Sequence, residues 1–167
     1  KKGHGARLLQ KPSLMRKCVD AMTSATDAPV TLKTRLGWWT KNTIPETARA
    51  LRGSGVSRVV MHARTAQQSY GDEPDYNALR LAVGEFDCPV TANGNITSYE
   101  SAVRVLEDTG CEGAMIGRAA ITNPFVFEAL RNRGDFDATR EQRADFFDEY
   151  ASLADSVPFV EVRAHAA

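Results

Sequence analysis

The sequence predicts an α/β fold of four consecutive strand–helix units, followed by the start of a helical segment. Three observations carry this reading. Short apolar runs ending in glycine or polar residues alternate with segments whose apolar residues recur at helical spacing. The units repeat at roughly 30 residues, a separation that joins parallel strands through a covering helix. The chain has 167 residues, and four units are half of an eight-unit (β/α)8 barrel, which typically needs about 250. A doubly wound open sheet shares this pattern, although no G-x-G-x-x-G occurs to support its dinucleotide-binding version.

The pattern is clearest from residue 89 to 118. The apolar run 89–92 ends in Asn93-Gly94-Asn95. An amphipathic segment, 98–108, precedes Gly110, the apolar run 113–116 and the tip Gly117-Arg118. Upstream, Lys11-Pro12-Ser13 starts a helix with Leu14, Met15, Cys18, Val19 and Met22 at helical spacing. The β-rich run 29–33 follows, then a loop at 34–42 with Trp38 and Trp39, which also suit packing on a partner domain. Thr43 is placed to cap a helix with Pro45 in its first turn. Residues 56–61 form the next strand, with His62-Ala63-Arg64-Thr65 at its tip. A polar loop leads to a helix near 75–85, and Asn123-Pro124 starts another reaching about Arg131. Gly134 and Asp135 mark a boundary. Residues 138–154 read as an amphipathic helix with Phe146, Phe147 and Tyr150 on its apolar side, and 155–167 are unassigned.

Lys plus Arg and Asp plus Glu number 21 each, so any RNA contact requires a local patch rather than a global charge. No apolar run approaches the roughly 18 residues that cross a membrane. The opening Lys1-Lys2-Gly3-His4 lacks the apolar core of a signal peptide and has no initiator Met. The three cysteines, Cys18, Cys88 and Cys111, are an odd set without metal-type spacing. They read as small buried apolar residues in a reducing cytoplasm, with no metal site.

The four tips carry Lys33 and Arg35, His62 and Arg64, Asn93-Gly94-Asn95, and Gly117-Arg118. In a parallel barrel all lie at one face. Cations, amides and open backbone N–H groups together suit an anionic, hydrogen-bonding ligand, most simply a phosphate-bearing cofactor. Each has a plainer reading alone: Lys33 an exposed lysine, His62 a structural histidine, Asn93-Gly94 a tight turn. Gly117 would then serve packing, Arg118 solubility, and Arg64 and Gln67 the solvated loop. Their coincidence at four successive tips favours the ligand site.

The segments TLKTRLGW (31–38), MHART (61–65), ANGNI (92–96) and MIGRAA (115–120), with KGHGA (2–6) and NPFVF (123–127), resemble the tRNA-dihydrouridine synthases over about residues 1–130. The resemblance implies an FMN-dependent TIM barrel followed by a helical tRNA-binding domain, in the cytoplasm. On that reading 1–134 hold the last four barrel strands and 135–167 begin the helical domain. It implies hydride transfer from reduced flavin to C6 of a flipped uracil, protonation of C5 by a cysteine acid, and NADPH as reductant. Lys33, His62, Asn93, Gly94, Asn95, Gly117 and Arg118 would contact FMN, and Arg35, Arg64 and Gln67 the RNA or substrate. The family commonly has an acidic residue where Asn95 stands. The resemblance places the catalytic cysteine in a loop upstream of Lys1, so the expectation is an inactive C-terminal half-barrel with an exposed sheet edge. Other FMN barrels, of dihydroorotate dehydrogenase or old-yellow-enzyme type, share the NG and GR tips; HARTAQQSY (62–70) favours the tRNA enzyme. A non-catalytic phosphate-binding half-barrel that dimerises and a simple RNA-binding module are the remaining alternatives.

Overall fold

A computed structural model describes residues 5–154; Lys1 to His4 and the stretch 155–167 lie outside the described residues. Strands β1 (Val30–Arg35), β2 (Val56–His62), β3 (Val90–Asn93) and β4 (Gly113–Met115) form one parallel sheet in the order β1-β2-β3-β4. Helices α1 (Pro12–Thr23), α2 (Ile44–Leu51), α3 (Tyr76–Glu85) and α4 (Tyr99–Thr109) alternate with them. Neighbouring helices pack in sequence, α1 on α2, α2 on α3 and α3 on α4. A doubly wound sheet reverses its strand order at a switch point and divides its helices between two faces. Here the order never reverses, and the barrel arrangement is the one observed.

Each helix buries one stripe. In α2 the stripe is Ile44, Thr47, Ala48 and Leu51, at positions i, i+3, i+4 and i+7. In α3 it is Ala78, Leu79 and Ala82, and in α4 Ala102, Val105 and Thr109. These meet Val59, Met61, Val90 and Ala92 from the covered face of the sheet. Asp75 caps α3 by accepting the Ala78 N–H at 3.0 Å. Ser98 and Ser101 form a reciprocal capping box on α4, whose carboxyl end closes on Gly110 at φ +74°. Arg16 on α1 donates to the carbonyls of Ala50 (3.2 Å) and Arg52 (2.9 Å), tying α1 to the end of α2.

Several local expectations are corrected. Of the five apolar residues on α1, only Met15 and Val19 face the core; Leu14, Cys18 and Met22 are exposed. They lie on the side of α1 away from the sheet. Cys18 is therefore not a buried apolar residue, while Cys111 is. Thr43 precedes α2 without a side-chain cap; Thr40 instead accepts the Asn42 N–H at 3.2 Å, capping a short 3-10 turn at Lys41–Thr43. A short helix unforeseen in the sequence, α5 (Arg118–Thr122), follows β4, and α6 (Val126–Arg131) succeeds it.

In α7 (Arg140–Ala154), Phe146 packs on Phe125 with ring centroids 5.6 Å apart, whereas Phe147 and Tyr150 are exposed. At the expected boundary, Gly134 has φ +88°, and a Cβ there would sit 2.9 Å from Glu100 Oε1. The segment after α6 is thus tucked against α4. Among the described residues, no helix is long and apolar enough to cross a membrane.

Candidate functional site

Strand register assembles the site. Arg35 pairs with His62, His62 with Asn93, and Asn93 with Met115, one residue from each strand at one level. Side chains alternate across a strand. Met61 and Ala92 are in the helix-covered core, so their neighbours His62 and Asn93 face the opposite side. Lys33 lies two residues before Arg35 on that same face.

These residues line a pocket of about 580 Å³ at the carboxyl ends of the strands. Its wall includes Lys33, Arg35, His62, Asn93, Gly94, Asn95, Gly117 and Arg118. Eight of the ten expected site residues are therefore brought together. Three lining side chains, Lys33, Arg35 and Arg118, are basic, and no Asp or Glu lines the pocket.

Backbone geometry holds the third tip. Gly94 has φ +134°, and a Cβ there would lie 3.3 Å from His62 Cδ2 and 3.4 Å from Pro74 Cβ. The Tyr76 hydroxyl donates to Gly94 O at 2.8 Å, and Asn93 Nδ2 donates to Met115 O at 2.9 Å. Asn95 adopts φ +48°, a left-handed conformation that asparagine tolerates better than most residues. Its Oδ1 accepts from Arg64 Nη2 and Arg118 Nη2, each at 3.1 Å. One neutral amide oxygen thus serves two guanidinium groups and leaves their charge uncompensated. Around Gly117 the position of a Cβ meets no heavy atom within 4 Å.

Two expected residues stand outside the wall. Gln67 is exposed but does not line the pocket. Arg64 has 0% of its surface exposed. Its Nε donates to Asp72 O at 2.6 Å, Nη2 also donates to Tyr70 O at 3.2 Å, and Nη1 meets His62 Nε2 at 3.1 Å. This arginine faces inward as a brace, contrary to the expectation that it reaches RNA or substrate. Arg35 reaches the same loop, its Nη1 donating to Thr65 O (2.8 Å) and Gln68 O (3.2 Å).

Burial, then the nearby Arg35, Arg64, Lys33 and Arg118, lower the His62 pKa from 6.5 to about 4. At neutral pH the imidazole is uncharged and adds a hydrogen-bonding group without a fourth charge.

The sequence reading missed Tyr70. Its ring stacks near His62, with centroids 6.1 Å apart and planes at 26°, and Arg118 Cζ lies 4.6 Å from its centroid. It is 59% exposed and lines the pocket. An aromatic residue in the loop after a strand tip was the available signal. Met115, at the end of β4, was similarly passed over as a plain strand residue.

None of the cysteines lines this pocket. Cys18 is on the outside of α1, and Cys88 and Cys111 precede β3 and β4 at the other end of the sheet. Burial pushes the Cys88 and Cys111 thiols up, Asp87 adding to the effect at Cys88. Among the described residues, no group of His, Cys, Asp and Glu is arranged to hold a metal ion.

Residues 1–158 match the family model described as dihydrouridine synthase (Dus). The chain is 38% identical over 133 residues to tRNA-dihydrouridine synthase B of Vibrio parahaemolyticus, covering 79% of this chain and 41% of that protein. It is 32% identical over 149 residues to a probable tRNA-dihydrouridine synthase of Aquifex aeolicus, covering 87% and 47%. The chain thus spans less than half the length of these curated relatives.

Among solved structures, a complex of BexX and CysO from Amycolatopsis orientalis aligns with TM-score 0.53 at 16% identity, over 74% of this chain and 48% of that one. A muconate lactonizing enzyme from Pseudomonas fluorescens complexed with muconolactone aligns with TM-score 0.50 at 16% identity, over 80% and 34%. At such identities these two report on fold alone.

Proposed function

The chain belongs to the dihydrouridine synthase family, and from that premise we propose that it supplies the phosphate-binding side of an FMN site used to reduce uridine to 5,6-dihydrouridine in tRNA, with NADPH as reductant, in the cytoplasm. The observation that carries this reading is the charge of the pocket: Lys33, Arg35 and Arg118 face it and no carboxylate does. Such a site is matched to a ligand bearing a dianionic phosphate.

The donor set fits FMN. Arg118 and the open backbone at Gly117 would hold the phosphate, with Asn95 fixing the Arg118 guanidinium from behind. Gly94 lets the chain pass close beneath the ligand. Lys33 would hold its ammonium at the pyrimidine edge of the isoalloxazine, opposing the negative charge that reduction creates there. Neutral His62 would donate one N–H to the cofactor. When bound in its reduced form, FMN would supply the hydride that saturates uracil C6. The proton for C5 has no cysteine source in this pocket, so we assign that acid to a group outside these lining residues, and the isolated chain is proposed to bind FMN without reducing uridine.

Arg35 and Gln67 remain proposed contacts on the RNA or substrate side. Arg64 is reassigned to positioning His62, Asn95 and the loop that carries Tyr70. We further propose that 1–134 form the cofactor-binding portion of a barrel and that 135–167 begin a helical domain for tRNA, α7 being its first helix.

Two experiments test this. The chain should bind FMN more tightly than riboflavin, which lacks the phosphate, and Arg118→Ala should remove that preference. The gene containing this sequence, expressed in cells lacking dihydrouridine, should restore it to tRNA, and Lys33→Ala should prevent this. Equal affinity for FMN and riboflavin, or tRNA still free of dihydrouridine, would overturn the reading.

A further inference from the structure

The loop after β1 presents an indole that the pocket does not use. Trp39 is 71% exposed, while its neighbour Trp38 is half-buried and packs against the core. The two rings meet edge to face, centroids 6.2 Å apart at 88°. The guanidinium of Arg7 sits over Trp38, 5.7 Å from its centroid. Trp38 is therefore an anchored base, and Trp39 is the free platform standing on it.

The turn that presents them is tightly determined. A Cβ at Gly37 would fall 2.0 Å from Thr40 O, so no other residue fits there without moving the turn. Leu36 N–H donates to Arg64 O at 3.1 Å, and Ala66 N–H donates to Gly37 O at 2.8 Å. These bonds join the tryptophan loop to the loop bearing Tyr70, which lines the cationic pocket. The tryptophan loop thus lies at the carboxyl-end face of the sheet, the face on which the pocket opens.

Building on the tRNA reading above, we propose that Trp39 is a stacking platform for an unpaired nucleobase of the RNA, distinct from the base that enters the pocket. Single-stranded nucleic acid is held by aromatic rings that take base faces, next to cations that follow the phosphates. An exposed indole costs solvation unless something covers it, and the cations beside this loop are Arg7, on Trp38, and Arg35, at the end of β1, neither of which is in an ion pair among the described residues. That charge favours a polyanion over an apolar protein segment as the occupant. Lys41, two residues on, is held by Asp75 at 2.6 Å and contributes little to the local charge.

The test uses the whole chain and an unmodified tRNA transcript. In Trp38→Phe, Trp39 is the sole tryptophan, and tRNA should quench its selectively excited fluorescence, because stacking on a base quenches indole. Trp39→Ala should weaken tRNA binding by about tenfold or more, Trp39→Phe should retain most of it, and FMN affinity should not change in either. Unaltered emission on tRNA binding, or equal affinity of Trp39→Ala and the parent chain, overturns this inference and leaves the flavin reading standing; the indole would then be a protein contact. A parent chain that binds FMN but no tRNA overturns the RNA part of the proposed function and this inference with it.

Discussion

Arg64 Nη1 lies 3.1 Å from His62 Nε2, both inside the protein. A guanidinium has only donors, so Nε2 must accept and the neutral imidazole carries its proton on Nδ1. Protonating Nε2 would break this bond and set two cations against each other. The lowering of the His62 pKa to about 4, mainly by burial and then by Arg35 and Arg64, expresses that cost.

Stability should therefore depend on pH through His62. The unfolded chain binds the imidazole proton near 6.5, whereas the folded chain resists it until about 4. Between these values the unfolded state holds more protons, so stability falls as pH drops from 6.5 towards 4 and changes little above that window. The contribution is at most about 3 kcal/mol. Urea unfolding at pH 7 and pH 4.5 checks it, with His62→Gln as the reference that lacks this slope. An imidazole titrating near 6.5 by NMR would contradict the geometry.

Arg64→Met should cost roughly 2–4 kcal/mol, because it removes four hydrogen bonds at a buried position. The same substitution frees Nε2 and should move the His62 midpoint upward. Arg64→Lys should recover little, since one ammonium cannot span Asp72 O, Tyr70 O and Asn95 Oδ1. Limited proteolysis within residues 66–74 should accelerate in both variants. A surface role for Arg64 would leave stability and the His62 midpoint unmoved.

Gly94→Ala should destabilise by about 1–3 kcal/mol, combining a left-handed φ with contacts of 3.3 Å to His62 and 3.4 Å to Pro74. The displaced imidazole should also weaken FMN binding. Thermal unfolding and FMN fluorescence quenching measure the two effects. Gly53→Ala shares a positive φ, +67°, but has no heavy atom within 4 Å. It should show the backbone penalty alone and leave FMN binding intact.

The thiols should react unequally. Cys18 is exposed, so one equivalent of a thiol reagent should react quickly at pH 7. Cys111 is buried and Cys88 half-buried, with thiols pushed up by burial. Both should react fully only on unfolding. Cys18→Ser should remove the fast phase without affecting FMN binding, because Cys18 lies on the outer side of α1. Two or three equivalents reacting at once would contradict the packing.

Local pattern carried much of the fold into view. Strand tips are legible because a β run ends where glycine, asparagine or a cation interrupts it, and Ser98, Asp75 and Pro45 mark helix starts through backbone chemistry within a few residues. The lining positions of Lys33, His62, Asn93, Gly94, Asn95, Gly117 and Arg118 follow from the same rule, since parallel strands bring all their carboxyl ends to one face.

What escaped the sequence depends on contacts that no local pattern encodes. HARTAQQSY reads as a polar loop, yet Arg64 is buried because Asp72 O, Tyr70 O and Asn95 Oδ1 converge on it from positions as far as 31 residues away. Tyr70 joins the site only because that loop folds back over His62 and under Arg118.

Apolar spacing on α1 identified a helix, while only the position of the sheet decided that Met15 and Val19 turn inward and Cys18 outward. By itself the sequence determined the order of elements and the chemical groups at their tips, through period and turn chemistry. The tertiary structure alone decided which cations face the pocket and which one is spent holding it together, because burial and shared acceptors arise only when distant segments meet.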